Sequence, residues 1–185
     1  MKNFIIGLIL SLFLIISANS SFGSPIISID DANVAPGTTT VFLGLYILDV
    51  GTPVDSFTTD LALDTGLTLS GVVFGTLPEG WFSSANLGLN RLGATDFAFP
   101  ANPIRSGSDL LFATLEIDID GAQSVAGNDF TVGFDFVEIA DLDGDSLNSE
   151  YTFNSGTITV IPIPSTILLL GGGLAALVAV RRRRS

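Results

Sequence analysis

Three stretches of the chain alternate apolar and polar side chains with a period of two. In 57–64, Phe57, Thr59, Leu61 and Leu63 fall on one side and Thr58, Asp60, Ala62 and Asp64 on the other. In 111–120, Leu111, Ala113, Leu115, Ile117 and Ile119 share a face opposite the acids Glu116, Asp118 and Asp120. Phe130, Val132, Phe134 and Phe136 alternate with Thr131, Gly133 and Asp135. Successive side chains of a pleated strand point to opposite faces, so each run predicts a half-buried antiparallel strand. Residues 41–48 are apolar on both faces, which suits a strand in the middle of a sheet. Pro36-Gly37, Gly51-Thr52-Pro53, Pro78-Glu79-Gly80 and Gly121 separate the runs as turns. Eight or nine short strands and almost no helix follow. The predicted fold class is all-β, an antiparallel β-sandwich over 25–160, with Phe97 and Phe99 in its core.

The two ends of the chain do not alternate. Lys2, an apolar run over 4–16 and small residues in Ala18-Asn19-Ser20 and Ser21-Phe22-Gly23 make residues 1–23 a secretory signal peptide. Cleavage after Ser20 or after Gly23 would each leave small residues at the recognition positions. At the other end, 163–180 is uncharged and as a helix would cover about 27 Å, enough to cross a bilayer core. Arg181, Arg182, Arg183 and Arg184 follow it as a membrane stop, and an arginine excess holds the C-terminus on the cytoplasmic side. Pro162 and Pro164 prevent the helix from extending backward, so an extended segment precedes it.

This tail resembles the PEP-CTERM sorting signals of Gram-negative bacteria. Pro162, Pro164, Ser165, Thr166, the run Leu168-Leu169-Leu170-Gly171-Gly172-Gly173-Leu174 and the arginines match that pattern, whereas Ile161 and Ile163 replace the Val and Glu of the usual Val-Pro-Glu-Pro motif. The resemblance implies a sorting signal over 161–185, with its motif in 161–166 and a transmembrane helix over 163–180. An exosortase-like enzyme would process it at the inner membrane, and the protein would end at the cell surface or in the extracellular matrix. The departure at Ile163 leaves open which sortase variant acts. A plain C-terminal anchor is the alternative.

Between the ends lies about 135 residues, the size of one domain with one core. All 19 acidic residues of the chain fall there, against two basic ones, Arg91 and Arg105, an excess of 17 negative charges. Such a field repels nucleic acid and keeps the domain soluble. The two arginines are expected to neutralise nearby carboxylates. There is no cysteine and no histidine, so the core holds the fold without disulfides, and thiol or imidazole catalysis and the usual zinc or copper sites are excluded. Only carboxylate chemistry is left, and no pair of acids is singled out for it. The domain is expected not to be an enzyme and to need no cofactor, calcium being the one candidate.

That candidate is Asp141-Leu142-Asp143-Gly144-Asp145, whose Asp141, Asp143 and Asp145 stand at the alternate positions that open a calcium loop, with Asn148 and Glu150 beyond. Ser146 and Thr152 then stand where such a loop carries Gly and Glu, and an Asp-rich turn between strands explains the pattern equally. Trp81, with Phe82, reads as a loop aromatic that either stacks on a sugar ring or plugs one end of the core.

The order of the strands resembles the cohesin domain, a jelly-roll sandwich. Ile27-Ser28-Ile29 leading to Pro36-Gly37, the strand 57–64, the segment Gly107-Ser108-Asp109-Leu110-Leu111-Phe112-Ala113-Thr114-Leu115-Glu116-Ile117, the stretch 134–145 and the closing Gly156-Thr157-Ile158-Thr159-Val160 carry the likeness. It implies a protein partner bound through one sheet face, hence adhesion or protein–protein interaction. A carbohydrate-binding module acting on envelope or extracellular polysaccharide is the competing class, and a purely structural matrix protein a third.

Overall fold

The computed structural model describes residues 24–162. The expected signal peptide 1–23, the expected membrane helix 163–180, the motif residues Pro164, Ser165 and Thr166, and the arginines 181–184 lie outside the described residues. Among the described residues no helix is long and apolar enough to cross a membrane.

Eleven strands run in chain order as β1 (Ile26–Ile29), β2 (Ala32–Val34), β3 (Thr40–Leu48), β4 (Ser56–Leu63), β5 (Leu67–Phe74), β6 (Trp81–Asn86), β7 (Arg91–Asp96), β8 (Leu110–Ile119), β9 (Asp129–Ala140), β10 (Thr152–Asn154) and β11 (Gly156–Val160). They make two sheets, one ordered β10-β1-β3-β8-β5 and the other β2-β11-β9-β4-β7-β6. The apolar strand 41–48 is indeed the middle of the first sheet. The described domain is therefore an all-β sandwich, as the alternation predicts.

The count exceeds the predicted eight or nine because each end of the domain changes sheets midway. The chain leaves the first sheet at Ile29 and enters the second at Ala32; it does the same between Asn154 and Gly156. These segments run side by side, so β1–β10 and β2–β11 are parallel pairs in an otherwise antiparallel sandwich. Asp30 and Asp31 fasten the crossing. The Asp30 N–H donates to the Gly44 carbonyl at 2.9 Å, its carboxylate accepts from the Gly44 N–H at 3.2 Å, and the Asp31 carboxylate accepts from the Thr157 N–H at 2.7 Å. Burial, and then the charge of Asp30, push the Tyr46 phenol up from its ordinary range.

The core lies between the sheets and is centred on Phe112, whose ring meets Phe57 edge-on at 4.7 Å and Phe74 at 5.7 Å. Two bulges correct the predicted phases. Leu45 pairs with Ala113 but Tyr46 with Leu111, so Phe112 is the extra residue of β8; it turns inward, and Leu111, expected inside, is exposed. Asp60 pairs with Phe136 but Leu61 with Phe134, so Asp135 is the extra residue of β9. Beyond it Ile139 takes the inner face and Phe136 faces out. One inserted residue reverses which face every later side chain occupies.

Phe97 and Phe99 are also corrected. Leu92, Ala94 and Asp96 fill the inner positions of β7, so alternation sends Phe97 outward, and Phe99 stands fully exposed on the following loop.

At the crossing, a side chain on Gly156 would overlap the Asp30 carbonyl oxygen and approach Ile29 Cγ2 at 2.8 Å. Gly156→Ala is expected to cost about 1–3 kcal/mol of unfolding free energy in urea titration, the usual range for overpacking. Gly121→Ala, where an added Cβ meets nothing within 4 Å, should stay within about 0.5 kcal/mol of the parent.

Candidate binding face

The outer face of the second sheet is built from rows that cross its last four strands. Phe82, Thr95, Ser56 and Ala140 form one row; Ser84, Gly93, Thr58 and Glu138 the next; Asn86, Arg91, Asp60 and Phe136 a third. Phe97 stands one step beyond Thr95. Phe82 is 65% and Phe97 74% exposed, yet their rings meet edge-on with centroids 6.4 Å apart. They wall a groove of about 320 Å³ whose floor carries Thr58, Ser84, Arg91 and Thr95. Gly93 keeps that floor low, since a Cβ there would come within 2.7 Å of Thr58 Oγ1 and 2.8 Å of the Phe57 carbonyl.

Arg91 grips Asp60 across the strand pair through Nε at 2.6 Å and Nη2 at 2.7 Å. The hydrogen bonds hold the Asp60 carboxyl below its ordinary range and raise the guanidinium above its own. The expectation that Arg91 neutralises a carboxylate is met. Arg105 makes no ion pair within 4 Å among the described residues.

Trp81 does not lie in a loop but opens β6, and alternation turns it to the inner side while Phe82 faces out. Its indole is half-buried against the core and donates through Nε1 to the Asn102 carbonyl at 2.9 Å. The loop it meets is gathered by Asp96, a nearly buried carboxylate that accepts the Ala98 N–H at 2.7 Å and also the Asn102 N–H. This pair of backbone donors satisfies a charge that would otherwise be costly to bury. Nearby, burial pushes the Asp55 carboxyl up, helped by the charges of Asp96 and Asp141. The exposed aromatics on this face are thus Phe82, Phe97 and Phe136; the inner apolar pair Leu92 and Ala94, continued to Asp96, could have revealed Phe97 by its phase.

Asp141, Asp143 and Asp145 are not drawn together as a ligand shell. The Asp141 Oδ1 accepts from the N–H groups of Asp143 at 3.0 Å and Asp145 at 2.9 Å, closing the turn after β9. Gly144, at φ +81°, supplies the left-handed residue the turn requires. Asn148 instead binds the β9 backbone, donating to the Val137 carbonyl at 2.7 Å and accepting from the Ile139 N–H at 2.9 Å, while Glu150 accepts from Thr52 at 2.9 Å. Among the described residues no three acidic side chains are placed to hold a metal.

No family model matches the chain, and no curated protein matches it. Its fold, however, is similar to that of solved cohesins. The third cohesin of ScaC from Acetivibrio cellulolyticus, solved in complex with the ScaB dockerin, superposes with a TM-score of 0.62 at 16% identity, over 74% of this chain and 99% of that one. The third ScaB cohesin of R. flavefaciens, in complex with a group 1 dockerin, gives 0.61 at 16% identity, over 76% and 96%. A non-cellulosomal cohesin from the hyperthermophilic archaeon Archaeoglobus fulgidus gives 0.54 at 16% identity, over 75% and 92%. The expected likeness to cohesins therefore holds at the level of the fold.

Because Asp141 closes the turn through its own backbone bonds, Asp141→Ala should lower stability by about 1–2 kcal/mol, two hydrogen bonds' worth. Asp143→Ala should leave the thermal midpoint unchanged with or without millimolar calcium. A midpoint that calcium raises in the parent but not in Asp143→Ala would assign the turn to a metal instead.

Proposed function

We propose that this protein is an exported, non-catalytic binding module that engages a protein partner through the outer face of β9-β4-β7-β6. The observation that carries this is the exposed Phe82–Phe97 pair on the outer sheet face, beside an arginine whose charge is already balanced by Asp60. A soluble domain gains nothing by presenting two contacting aromatic rings to water, and such clusters are the usual anchors of interfaces. Two of the comparison cohesins are solved in complex with a dockerin, which supports a protein partner for this fold. With 17 excess negative charges on the domain, the partner surface is expected to be basic around an apolar centre.

The groove beside the two rings favours a second reading, polysaccharide. Apolar ring walls over a floor of Thr58, Ser84 and Thr95 hydroxyls suit a sugar, whose faces are apolar and whose rim is polar. Phe82 and Phe97 would then be the stacking residues, in place of Trp81.

The ends of the chain set the destination in this proposal. Residues 1–23 direct export, and the sorting signal 161–185 holds the protein at the inner membrane until an exosortase-like enzyme releases the sandwich to the cell surface or matrix. Support comes from Pro162, Pro164, Ser165 and Thr166, the uncharged stretch after them and the four arginines.

One experiment addresses binding and sorting together: purify the mature protein from its own organism, record its intact mass, and use it to capture partners from the secretome and on a glycan array. The expected mass lacks 167–185. A defined protein partner is expected, its capture reduced at least about tenfold by the double substitution Phe82→Ala and Phe97→Ala, as for interface anchors worth over 1 kcal/mol. Sugar binding lost in that variant would favour the polysaccharide reading, and capture unaffected by it would remove this face from consideration.

A further inference from the structure

β6 is the outer edge of the second sheet, with β7 as its one strand neighbour. The hydrogen-bond phase of the pair follows from its continuation: the Phe97 N–H donates to the Gly80 carbonyl at 3.1 Å, in register with Trp81 opposite Asp96 and Phe82 opposite Thr95. On its other side β7 bonds through its even residues, as the Asp96 N–H donating to the Asp55 carbonyl at 2.9 Å shows. In an antiparallel ladder the bonded pairs alternate, so Phe82, Ser84 and Asn86 face β7 with their backbone groups. Trp81, Ser83 and Ala85 face away. The Trp81 N–H is taken by the Pro78 carbonyl at 3.3 Å, but the N–H and C=O groups of Ser83 and Ala85 have no partner among the described residues.

Sheet proteins ordinarily blunt such an edge with a charge, a proline or a bulge. The sequence of β6, Trp-Phe-Ser-Ser-Ala-Asn, has no charge and no proline, and its register with β7 runs without a break. The opposite sheet differs. Its edge strand β5 carries a register shift at Ser70 and lies against the short helical turn Leu87–Leu89.

We propose that β6 pairs with β6 of a second copy, antiparallel, about a two-fold axis at Ser84. The occupant is argued from the edge itself. Its free groups are self-complementary: a two-fold at Ser84 places Ser83 opposite Ala85 of the partner copy and Ala85 opposite Ser83, closing both bonded pairs at once. Two copies of so acidic a domain repel each other, and β6 offers a six-residue approach on which neither places a charge. Leu87 and Leu89, both exposed just past the strand, extend the contact with apolar surface. Pairing joins the two outer faces into one continuous surface and leaves Phe82 and Phe97 exposed on it. It is independent of which partner that surface binds.

The chain has no cysteine, so one introduced thiol reports on pairing without ambiguity. Ser84 would face its own copy in a non-bonded pair, where the Cα separation of about 4.5 Å lies within disulfide range. Ser84→Cys in the full exported chain should form a disulfide dimer at least about tenfold faster than Thr68→Cys, an exposed site on β5, because pairing raises the effective thiol concentration. Raising salt should speed it further by screening the repulsion. Adding Ser83→Pro removes an outward N–H that β7 does not use, so the unfolding midpoint should stay that of Ser84→Cys alone while the rapid cross-link disappears. Equal rates for Ser84→Cys and Thr68→Cys, a cross-link that survives Ser83→Pro, or a mixed disulfide with a different protein would each overturn the proposal.

Discussion

The contact of Phe112 with Phe57 and Phe74 is what the rest of this sandwich is arranged around. An excess of 17 negative charges works against compaction, and there is no disulfide to counter it, so cohesion between the sheets falls to the buried core. Phe112 ties the sheets together because it touches an aromatic ring from each, Phe57 on β4 and Phe74 on β5. Edge-on aromatic pairs contribute about 0.5–1.5 kcal/mol each beyond the area they bury. Phe112 reaches that position only because β8 carries one residue more than β3 at this point. A regular strand would have put Leu111 inside and Phe112 in water.

The same insertion logic shapes the surfaces that can bind. The extra residue in β9 turns Phe136 outward, and the natural phase of β7 does the same to Phe97, so with Phe82 the outer side of the second sheet exposes three aromatic rings. On that face Arg91 and Asp60 cancel, and Glu138, in the row of Thr58 and Ser84, adds one negative charge. The sheet changes at Asp30–Asp31 and Ser155 close the far side of the sandwich with parallel pairs. Edges at that end are short, three residues each in β2 and β10, which leaves β6 as the open one.

Much of this was legible in the sequence. The period of two in 57–63 and 113–119 placed the inner residues of β4 and β8 correctly, and the doubly apolar stretch 41–48 marked the central strand of its sheet. Leu111, Phe112 and Phe136 were not legible, because a bulge depends on two strands together and leaves no local mark on either. Phe97 and Phe99 have the spacing of core residues, but the inner positions already held by Leu92, Ala94 and Asp96 decide against it. Asp141-Leu142-Asp143-Gly144-Asp145 shows how one composition serves two ends, since carboxylates that could surround a cation equally close a turn on backbone N–H groups. The binding face is not legible in the sequence because it joins the consecutive strands β6 and β7 to β4 and β9, which lie far from them in the chain.

The proposed docking surface is the outer face of β9-β4-β7-β6. Backbone amide chemical-shift mapping of the mature protein, titrated with the partner it captures, tests this most directly. The largest changes are expected at Thr58, Phe82, Ser84, Thr95 and Phe97, with the outer face of the first sheet around Phe42 and Val73 unmoved. Changes confined to Phe42, Val73 and their neighbours would contradict it.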